Sequence, residues 1–171
     1  MKTLIIKILY IIPLFLFVAC PPEAAQPGCM DSIACNYNPN ATEDDGSCDI
    51  PLDNPIEIIY IEDYVSGSVG EDVISRVYVR NTSCNTITDL VVRKFFNNSD
   101  ASSYFCFNDI CFPSATIVSP NPMSLNSFEE DDYFKSYLNA STPGVYDVTY
   151  RFYLDSNPAQ MNEVTITYEI N

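Results

Sequence analysis

The segment VYDVTYRFYLDSNPAQMNEVTITYEI, residues 145–170, decides the fold of this chain. Apolar and polar residues alternate over 145–155 and again over 163–170, whereas the SNPAQMN segment between them is polar. Alternation with a period of two is typical of half-buried strands, and a polar segment with Asn and Pro indicates a turn. We therefore expect two adjacent strands that each bury one face. The inward residues would be Tyr146, Val148, Tyr150, Phe152 and Leu154, then Val164, Ile166, Tyr168 and Ile170.

The same alternation recurs earlier in the chain. Turn signals separate the apolar runs, and no long run has the helical period. Short strands separated by turns are typical of two packed antiparallel sheets. We predict an all-β fold, an Ig-like two-sheet β-sandwich over residues 56–171, with a core of Tyr, Phe, Val and Ile. The other main predicted strands are IEIIYIE (56–62), EDVISRVYVRN (71–81), ITDLVVRKFF (87–96) and DDYFKSYL (131–138).

Residues 1–19 have the pattern of a secretory signal peptide. Lys2 and Lys7 supply the positive charge that precedes the apolar run at 8–18. A helix that spans a bilayer needs about 20 apolar residues, so this run is too short. The pattern therefore favours a cleaved signal over a membrane span.

Cys20 is the predicted lipidation site. The sequence FVAC at 17–20 resembles a bacterial lipobox, and Ala19 is the small residue required before the cut. The resemblance implies a lipid on Cys20, a lipidated tether over 20–27, and location in the cell envelope as an outer-membrane lipoprotein of a Gram-negative bacterium. The membrane would then be a partner through this anchor. The alternative is ordinary signal cleavage that leaves Cys20 as a thiol.

The charge and composition of the chain exclude several functions. Loss of Lys2 and Lys7 leaves six basic and 23 acidic residues, a net charge of −17. Such a surface repels nucleic acid, so we expect no nucleic-acid partner. The chain has no His, which is the commonest general base, and the acidic EEDDY cluster at 129–133 is typical of a solvated loop or a protected sheet edge. We therefore predict that the protein is not an enzyme.

Six cysteines follow Cys20, and an even number in an exported chain indicates disulfides rather than zinc. Cys106 and Cys111 are separated by four residues, so a hairpin could bring their Cα atoms to about 5.5 Å. We predict a bond between them. The remaining four are Cys29, Cys35, Cys48 and Cys84.

The stretch GCMDSIACNYNPNATEDDGSC, residues 28–48, lies in a polar module that we assign to 28–50, followed by a Pro-rich linker at 51–55. A segment this polar has no core and needs other stabilisation. Three of its asparagines are spaced like positions 1, 3 and 5 of a calcium loop. One hypothesis is therefore a calcium site; the alternative is a series of Asx turns that bond local backbone. The candidate ligands are Asp31, Asn36, Asn38, Asn40, Asp44 and Asp45.

Two family resemblances extend these predictions. Over roughly 56–171 the chain resembles Ig-like modules of exported Gram-negative proteins that use type IX secretion. The similarity lies in the segments VRNTSCNTITDLVVRKFFNN (79–98), SSYFCFNDICFPS (102–114) and STPGVYDVTYRFYLDSNPAQMNEVTITYEI (141–170). That resemblance implies a structural or adhesive spacer rather than a catalyst.

The polar module is similar to GCxDxxAxNYxPxAxxDDGSC repeats of secreted proteins, which are thrombospondin type 3-like. This resemblance implies a bond between the outer cysteines, Cys29 and Cys48. Cys35 and Cys84 would then pair and dock the module onto the sandwich. The alternative of Cys29–Cys35 with Cys48–Cys84 remains open, because four cysteines allow three connectivities.

Two functional hypotheses follow. The first is a membrane-anchored envelope lipoprotein that acts as a non-catalytic structural, adhesion or binding module, with a surface protein or glycan as possible partner. The second is a lectin-like, carbohydrate-binding lipoprotein that uses calcium and exposed aromatic rings. A flat, exposed row of Tyr64, Tyr104, Tyr133 and Tyr137 would favour the second.

Overall fold

The computed structural model describes residues 24–171, which form thirteen β-strands. The predicted signal peptide and Cys20 lie outside the described residues. Within 24–171 there is no helix with the length and apolar character that crossing a membrane requires. In chain order the strands are β1 (Pro27–Gly28), β2 (Glu43–Asp44), β3 (Ile56–Ile61), β4 (Tyr64–Gly67), β5 (Val73–Asn81), β6 (Ile87–Phe95), β7 (Ala101–Phe107), β8 (Ile110–Phe112), β9 (Met123–Leu125), β10 (Glu130–Asp131), β11 (Lys135–Ala140), β12 (Gly144–Leu154) and β13 (Asn157–Ile170).

The strands form two large sheets and one small parallel pair. The first sheet has the order β3–β5–β11–β7–β8, with β10 beside β5 on the same edge as β11. The second has the order β4–β13–β12–β6–β9, and β1 pairs with β2 in the N-terminal module. An Ig fold divides its strands into A, B, E and D against C, F and G, and this division is reproduced here. The predicted fold class, an all-β, Ig-like two-sheet sandwich, is confirmed.

The core lies between the two large sheets and contains the residues that the alternation placed inward. Every second residue of β12 from Tyr146 to Leu154 is buried, and so is every second residue of β13 from Ile166 to Ile170, whereas Val164 is partly buried. The ring of Phe134 meets the rings of Tyr150 and Phe152 edge-on, each at 5.0 Å. Aromatic rings therefore fill the centre without any Trp.

A chain of hydroxyl groups crosses this apolar core. Tyr168 donates to Oγ of Ser136 at 2.6 Å, and that Oγ donates to the hydroxyl of Tyr150 at 2.8 Å. Ser103 contributes a further contact to Tyr150 at 3.2 Å. Because buried hydroxyls are costly when unpaired, these contacts explain how two tyrosines occupy the interior.

The hairpin between β12 and β13 turns earlier than the sequence indicated. β13 begins at Asn157, so the chain reverses over two residues rather than across the whole of 156–162. The register shifts next to Leu154, which leaves 158–160 as a bulge. A bulge accommodates Pro158 because the proline nitrogen needs no ladder partner there.

Candidate functional site

The N-terminal module is closed end to end by a disulfide. Cys29 and Cys48 are bonded, with their Cα atoms 4.8 Å apart. The backbone adds local support, since Asn38 N donates to the carbonyl of Cys29 and Cys35 N donates to that of Asp49, both at 2.9 Å. The module is therefore held by a covalent bond and turns rather than by a core.

A second disulfide joins the module to the sandwich. Cys35 is bonded to Cys84, which lies in the turn between β5 and β6. The predicted linker at 51–55 is also held, because Thr82 N donates to the carbonyl of Pro55 at 2.8 Å and Leu52 N donates to that of Thr82 at 3.2 Å. These contacts fix the module at the end of the sandwich where the β5–β6 turn lies. The pairing is the one favoured by the repeat resemblance.

Most of the candidate calcium ligands are used in local turns. Asp31, Asn38, Asp44 and Asp45 each accept, through Oδ1, the backbone N–H two residues ahead, at 3.0–3.1 Å. Asn36 instead bonds to the backbone near the end of the module, accepting from Asp49 N at 2.9 Å and donating to the carbonyl of Ser47. Hydrogen bonds from Ser47 lower the pKa of Asp45.

The side chain of Asn40 stands apart from these turns and lines a shallow polar depression with Gln26 and Thr42. Among residues 24–171, no group of three or more acidic, His or Cys side chains is placed to hold a metal ion. The structure thus supplies Asx turns for four of the six residues and longer-range backbone bonds for Asn36, and calcium binding remains a hypothesis.

The four tyrosines of the lectin hypothesis do not form one row. Tyr104 and Tyr137 stack on each other at 4.4 Å with an interplanar angle of 6°, so each covers one face of the other. Tyr64 belongs to the other sheet and donates to Glu169, and Tyr133 contacts the ammonium of Lys135. Desolvation and the neighbouring Asp72 carboxylate raise the pKa of Tyr104 to about 12. A flat aromatic platform is therefore not formed by these residues.

Two residues of the EEDDY cluster at 129–133 belong to a strand of the first sheet. Glu130 and Asp131 form β10, and Glu130 lies 3.6 Å from the guanidinium of Arg80. Desolvation raises the pKa of Asp131, and its Oδ2 has no hydrogen-bond partner within the described part of the chain. Among the contacts of the described residues, none joins these carboxylates to a nucleophilic side chain. The carboxylates are arranged as on the edge of a strand.

A cleft lies at the end of β6, and sequence reasoning missed it. Its volume is about 600 Å³, and its lining contains two basic residues, Arg93 and Lys94, but no Asp or Glu. The other lining residues are Phe95, Phe96, Asn97, Asn98, Ala101, Ser102, Ser103, Ser114, Ala115 and Ile117. The strand pattern contained a signal, because alternation in DLVVRKFF places Lys94 on the buried face with Leu90 and Val92.

Lys94 is 5% exposed and is held by backbone carbonyls. Its ammonium donates to the carbonyls of Ser114, at 2.8 Å, and Ser103, and lies 5.9 Å from the ring centroid of Phe105. Desolvation lowers the pKa of Lys94. No ion pair of Lys94 occurs within residues 24–171, so this buried cation is compensated only by dipoles and a ring face.

The cleft and the docked module lie at opposite ends of the sandwich. Cys84 precedes the first residue of β6, Ile87, and the cleft begins at Arg93 near the end of the same strand. A strand rises about 3.3 Å per residue, so roughly 25–30 Å separate the two ends. The cleft is therefore remote from the module that follows the tether.

No protein-family model matches the chain, and no curated protein matches it. Similar solved structures include the N-terminal domain of PorA, at 16% identity and a TM-score of 0.46, covering 68% of this chain and 96% of that one. A conjugative transposon lipoprotein from Bacteroides eggerthii is 18% identical, with a TM-score of 0.41 and coverage of 66% and 93%. The CARDB domain of a Pyrococcus furiosus protein, crystallised with di-metal ions, is 17% identical, with a TM-score of 0.41 and coverage of 71% and 93%.

Proposed function

We propose that this protein is a membrane-anchored, non-catalytic module of the bacterial cell envelope, attached through a lipid on Cys20. The observation that carries the proposal is the docking of the anchor-proximal module by the Cys35–Cys84 bond. A tether that leads into a rigidly held module suits a display or spacer function, because the chain beyond the tether then has a defined orientation.

The route from tether to sandwich supports this arrangement. Gln26, next to the predicted tether's end, exchanges hydrogen bonds with Thr42: its N–H donates to Oγ1, and its carbonyl accepts from the Thr42 N–H, both at 2.9 Å. Beyond this contact, the Cys29–Cys48 bond closes the module, and the Cys35–Cys84 bond connects it to the end of the sandwich. The opposite end, with the cleft, would point away from the attachment site.

The chemistry of the chain supports a non-catalytic function. The sequence has no His to activate a nucleophile, and all six cysteines of the described part are in disulfides. The acidic β10 residues pair with a strand rather than facing a cleft. Structure and binding are therefore the functions that these residues can perform.

The proposal is tested by Cys20→Ser in the full-length chain, expressed in a Gram-negative bacterium with radiolabelled palmitate. We expect wild-type protein to take up label and sediment with the outer membrane, and the variant to lose both properties. The double variant Cys106→Ser/Cys111→Ser is the matched control and should still be labelled. Quantitative retention of unlabelled Cys20→Ser in the outer-membrane fraction would sink the proposal.

A further inference from the structure

The outer face of the second sheet carries an ordered series of side chains along β12. Alternate residues of this strand are buried in the core, so the residues between them point outward. In chain order the outward residues are apolar, acidic, hydroxyl-bearing, basic and aromatic. Reversing that order exchanges the acid with the base and one apolar end with the other. The five residues are Val145, Asp147, Thr149, Arg151 and Tyr153.

The two charged residues of this series keep unused hydrogen-bonding capacity. Arg151 contacts Oε2 of Glu163 through Nε at 2.9 Å and Nη2 at 2.8 Å, and its Nη1 has no ion-pair partner within residues 24–171. Asp147 accepts a hydrogen bond from Thr167 through Oδ1 at 2.8 Å, and its carboxylate has no ion pair in the same part of the chain. The acid and the base can therefore each pair with a charge on another molecule.

A second cation lies beside the basic residue of the series. Arg93 is directly opposite Arg151 on the neighbouring strand, and both guanidinium groups lie over the ring of Phe95, at 5.6 and 5.0 Å from its centroid. Like charges on directly opposite residues are unfavourable. Glu163 offsets one of the two charges. A carboxylate from a partner would offset the other.

The two ends of the series are apolar. Val145 is 67% exposed, more than any other large hydrophobic side chain within residues 24–171. At the other end, Tyr153 lies opposite Met161, which is 38% exposed. Burial of these side chains against a partner would remove apolar area from water, which favours association.

A second copy of the chain matches this face in charge order. Two copies related by a two-fold axis present the same patch to each other, so each contact occurs twice. The outward series is about 27 Å long, and β6 and β13 lie about 4.8 Å away on either side. This face covers roughly 500 Å² in projection, less than the approximately 800 Å² per partner of a stable interface, so we expect weak and reversible association.

We propose that two copies of this protein associate through the outer face of the second sheet, with β12 of one copy antiparallel to β12 of the other. Asp147 of each copy then pairs with Arg151 of the second copy, and Val145 packs on Tyr153 of the second copy. Thr149 lies at the two-fold axis. A parallel arrangement would place each acid on an acid and each base on a base, so the charge order selects the antiparallel arrangement.

The antiparallel arrangement has a consequence for attachment. Each N-terminal module is docked at the same end of its own sandwich, so the two modules lie at opposite ends of the dimer. The next step rests on the proposed function: with a lipid anchor beside each module, the two copies attach to two facing membranes. The partner is then a second copy of the chain, and the protein is a homophilic adhesion module.

Analytical ultracentrifugation of the chain from residue 20 onward, with Cys20→Ser, tests the association without an anchor. In about 0.15 M salt, which screens the repulsion between distant charges of two acidic copies, we expect a dimer with a Kd of about 100 μM or tighter. Asp147→Arg, which places two bases opposite each other, should weaken dimerisation at least roughly tenfold. Glu43→Arg makes the same change of net charge in the N-terminal module and should dimerise like wild type.

The double variant Asp147→Arg/Arg151→Asp tests the orientation. In the antiparallel dimer it restores complementary pairs and should regain the affinity that Asp147→Arg loses. In a parallel dimer the number of like-charge pairs would be the same in wild type and in both variants. The proposal is overturned by a wild-type chain that stays monomeric at about 1 mM, by Asp147→Arg with wild-type affinity, or by a double variant that stays monomeric.

Attachment to facing membranes is tested with the Cys20 thiol coupled to phosphatidylcholine vesicles that carry maleimide lipid, which makes the result independent of lipidation in the cell. We expect wild-type vesicles to cluster, as measured by light scattering, and Asp147→Arg vesicles to stay separate. Dimerisation in solution without clustering of vesicles would refute attachment to facing membranes. Loss of palmitate labelling would instead refute only the proposed anchor.

Discussion

At the scale of single residues, the buried tyrosine hydroxyls show what a strand pattern can and cannot predict. Alternation placed Tyr150 and Tyr168 inward, and both are buried. It could not predict that Ser136 would link them, because that contact depends on how two sheets face each other. The same limit applies to Lys94, whose inward position is visible in the sequence but whose carbonyl partners come from distant segments.

The first prediction concerns alkaline pH. Burial raises the pKa of Tyr150 to about 12 and raises that of Tyr168 further. A group whose pKa is raised on folding contributes stability below its unfolded pKa, about 10, that is lost as pH rises towards the folded value. Between about pH 9 and 11.5, Tyr150 alone should therefore cost roughly 2 kcal/mol of unfolding free energy.

Urea denaturation of wild type and Tyr150→Phe at both pH values measures this loss. The variant keeps the ring but has no titrating hydroxyl, so its stability should fall less steeply. Lys94, with its lowered pKa, contributes in the opposite direction, but equally in both proteins. Parallel pH profiles for the two proteins would contradict the prediction.

The second prediction concerns the polar turns of the N-terminal module. Asn38 accepts the N–H of Asn40 at 3.0 Å, so Asn38→Ala should destabilise the module by about 1 kcal/mol. Because five of the candidate ligands already bond to the backbone, we expect the same melting temperature with millimolar calcium and with chelator. Calorimetry of wild type and variant measures both effects. A calcium-dependent rise that Asn38→Ala abolishes would instead support the calcium hypothesis.

At the scale of elements, the β7–β8 hairpin is closed by the disulfide that the sequence predicted. Cys106 and Cys111 face each other and are bonded, as predicted. Their Cα atoms are 3.8 Å apart, closer than the predicted distance of about 5.5 Å. Asn108 and Asp109 both have positive φ, 52° and 60°, which is the two-residue type I′ geometry.

The third prediction follows from this turn. Glycine is favoured at the second position of a type I′ turn, so Asp109→Gly should stabilise the protein by about 0.5–1 kcal/mol. Removal of the Asp109 carboxylate also takes away a negative charge that helps to raise the pKa of Asp131. Asp100→Gly is the control, since Asp100 has no positive φ and glycine there should destabilise. Thermal unfolding measures both, and destabilisation by Asp109→Gly would contradict the turn assignment.

Long strands were predictable, and short or irregular ones were not. The alternating runs predicted β5, β6 and β12 nearly to their ends, and β13 at its C-terminal end, because each buries one face against the other sheet. β9 and β10, of three and two residues, are too short to show a period. The residues 158–160 appeared to form part of a turn because Pro and Asn favour both turns and bulges.

At the scale of the whole molecule, two disulfides convert a polar module into a fixed end of the sandwich. Composition showed that the module needed stabilisation, and family resemblance favoured the pairing, but residue spacing alone left three connectivities. The cleft at the other end was not predicted, because it is formed by the end of β6, the start of β7 and the loop after β8.

The fourth prediction concerns the docking bond. Cys35–Cys84 closes 49 residues of sequence separation and Cys106–Cys111 only five. Loop entropy then gives about 4 kcal/mol for the first and about 2 kcal/mol for the second. Cys35→Ser/Cys84→Ser should therefore lose more stability than Cys106→Ser/Cys111→Ser and become sensitive to protease at 51–55. Equal protease resistance of the two double variants would mean that the linker contacts alone hold the module.

The most direct test of the docked arrangement is a non-reducing digest with a protease that cleaves after Asp and Glu, followed by mass spectrometry. Cleavage at Asp31 and Glu43 isolates Cys35 on fragment 32–43, and cleavage at Asp72 and Asp89 isolates Cys84 on fragment 73–89. We predict that these two fragments are recovered as one linked species, and that 24–31 is linked to 46–49 through Cys29 and Cys48. Recovery of 24–31 linked to 32–43, with 46–49 linked to 73–89, would contradict the account.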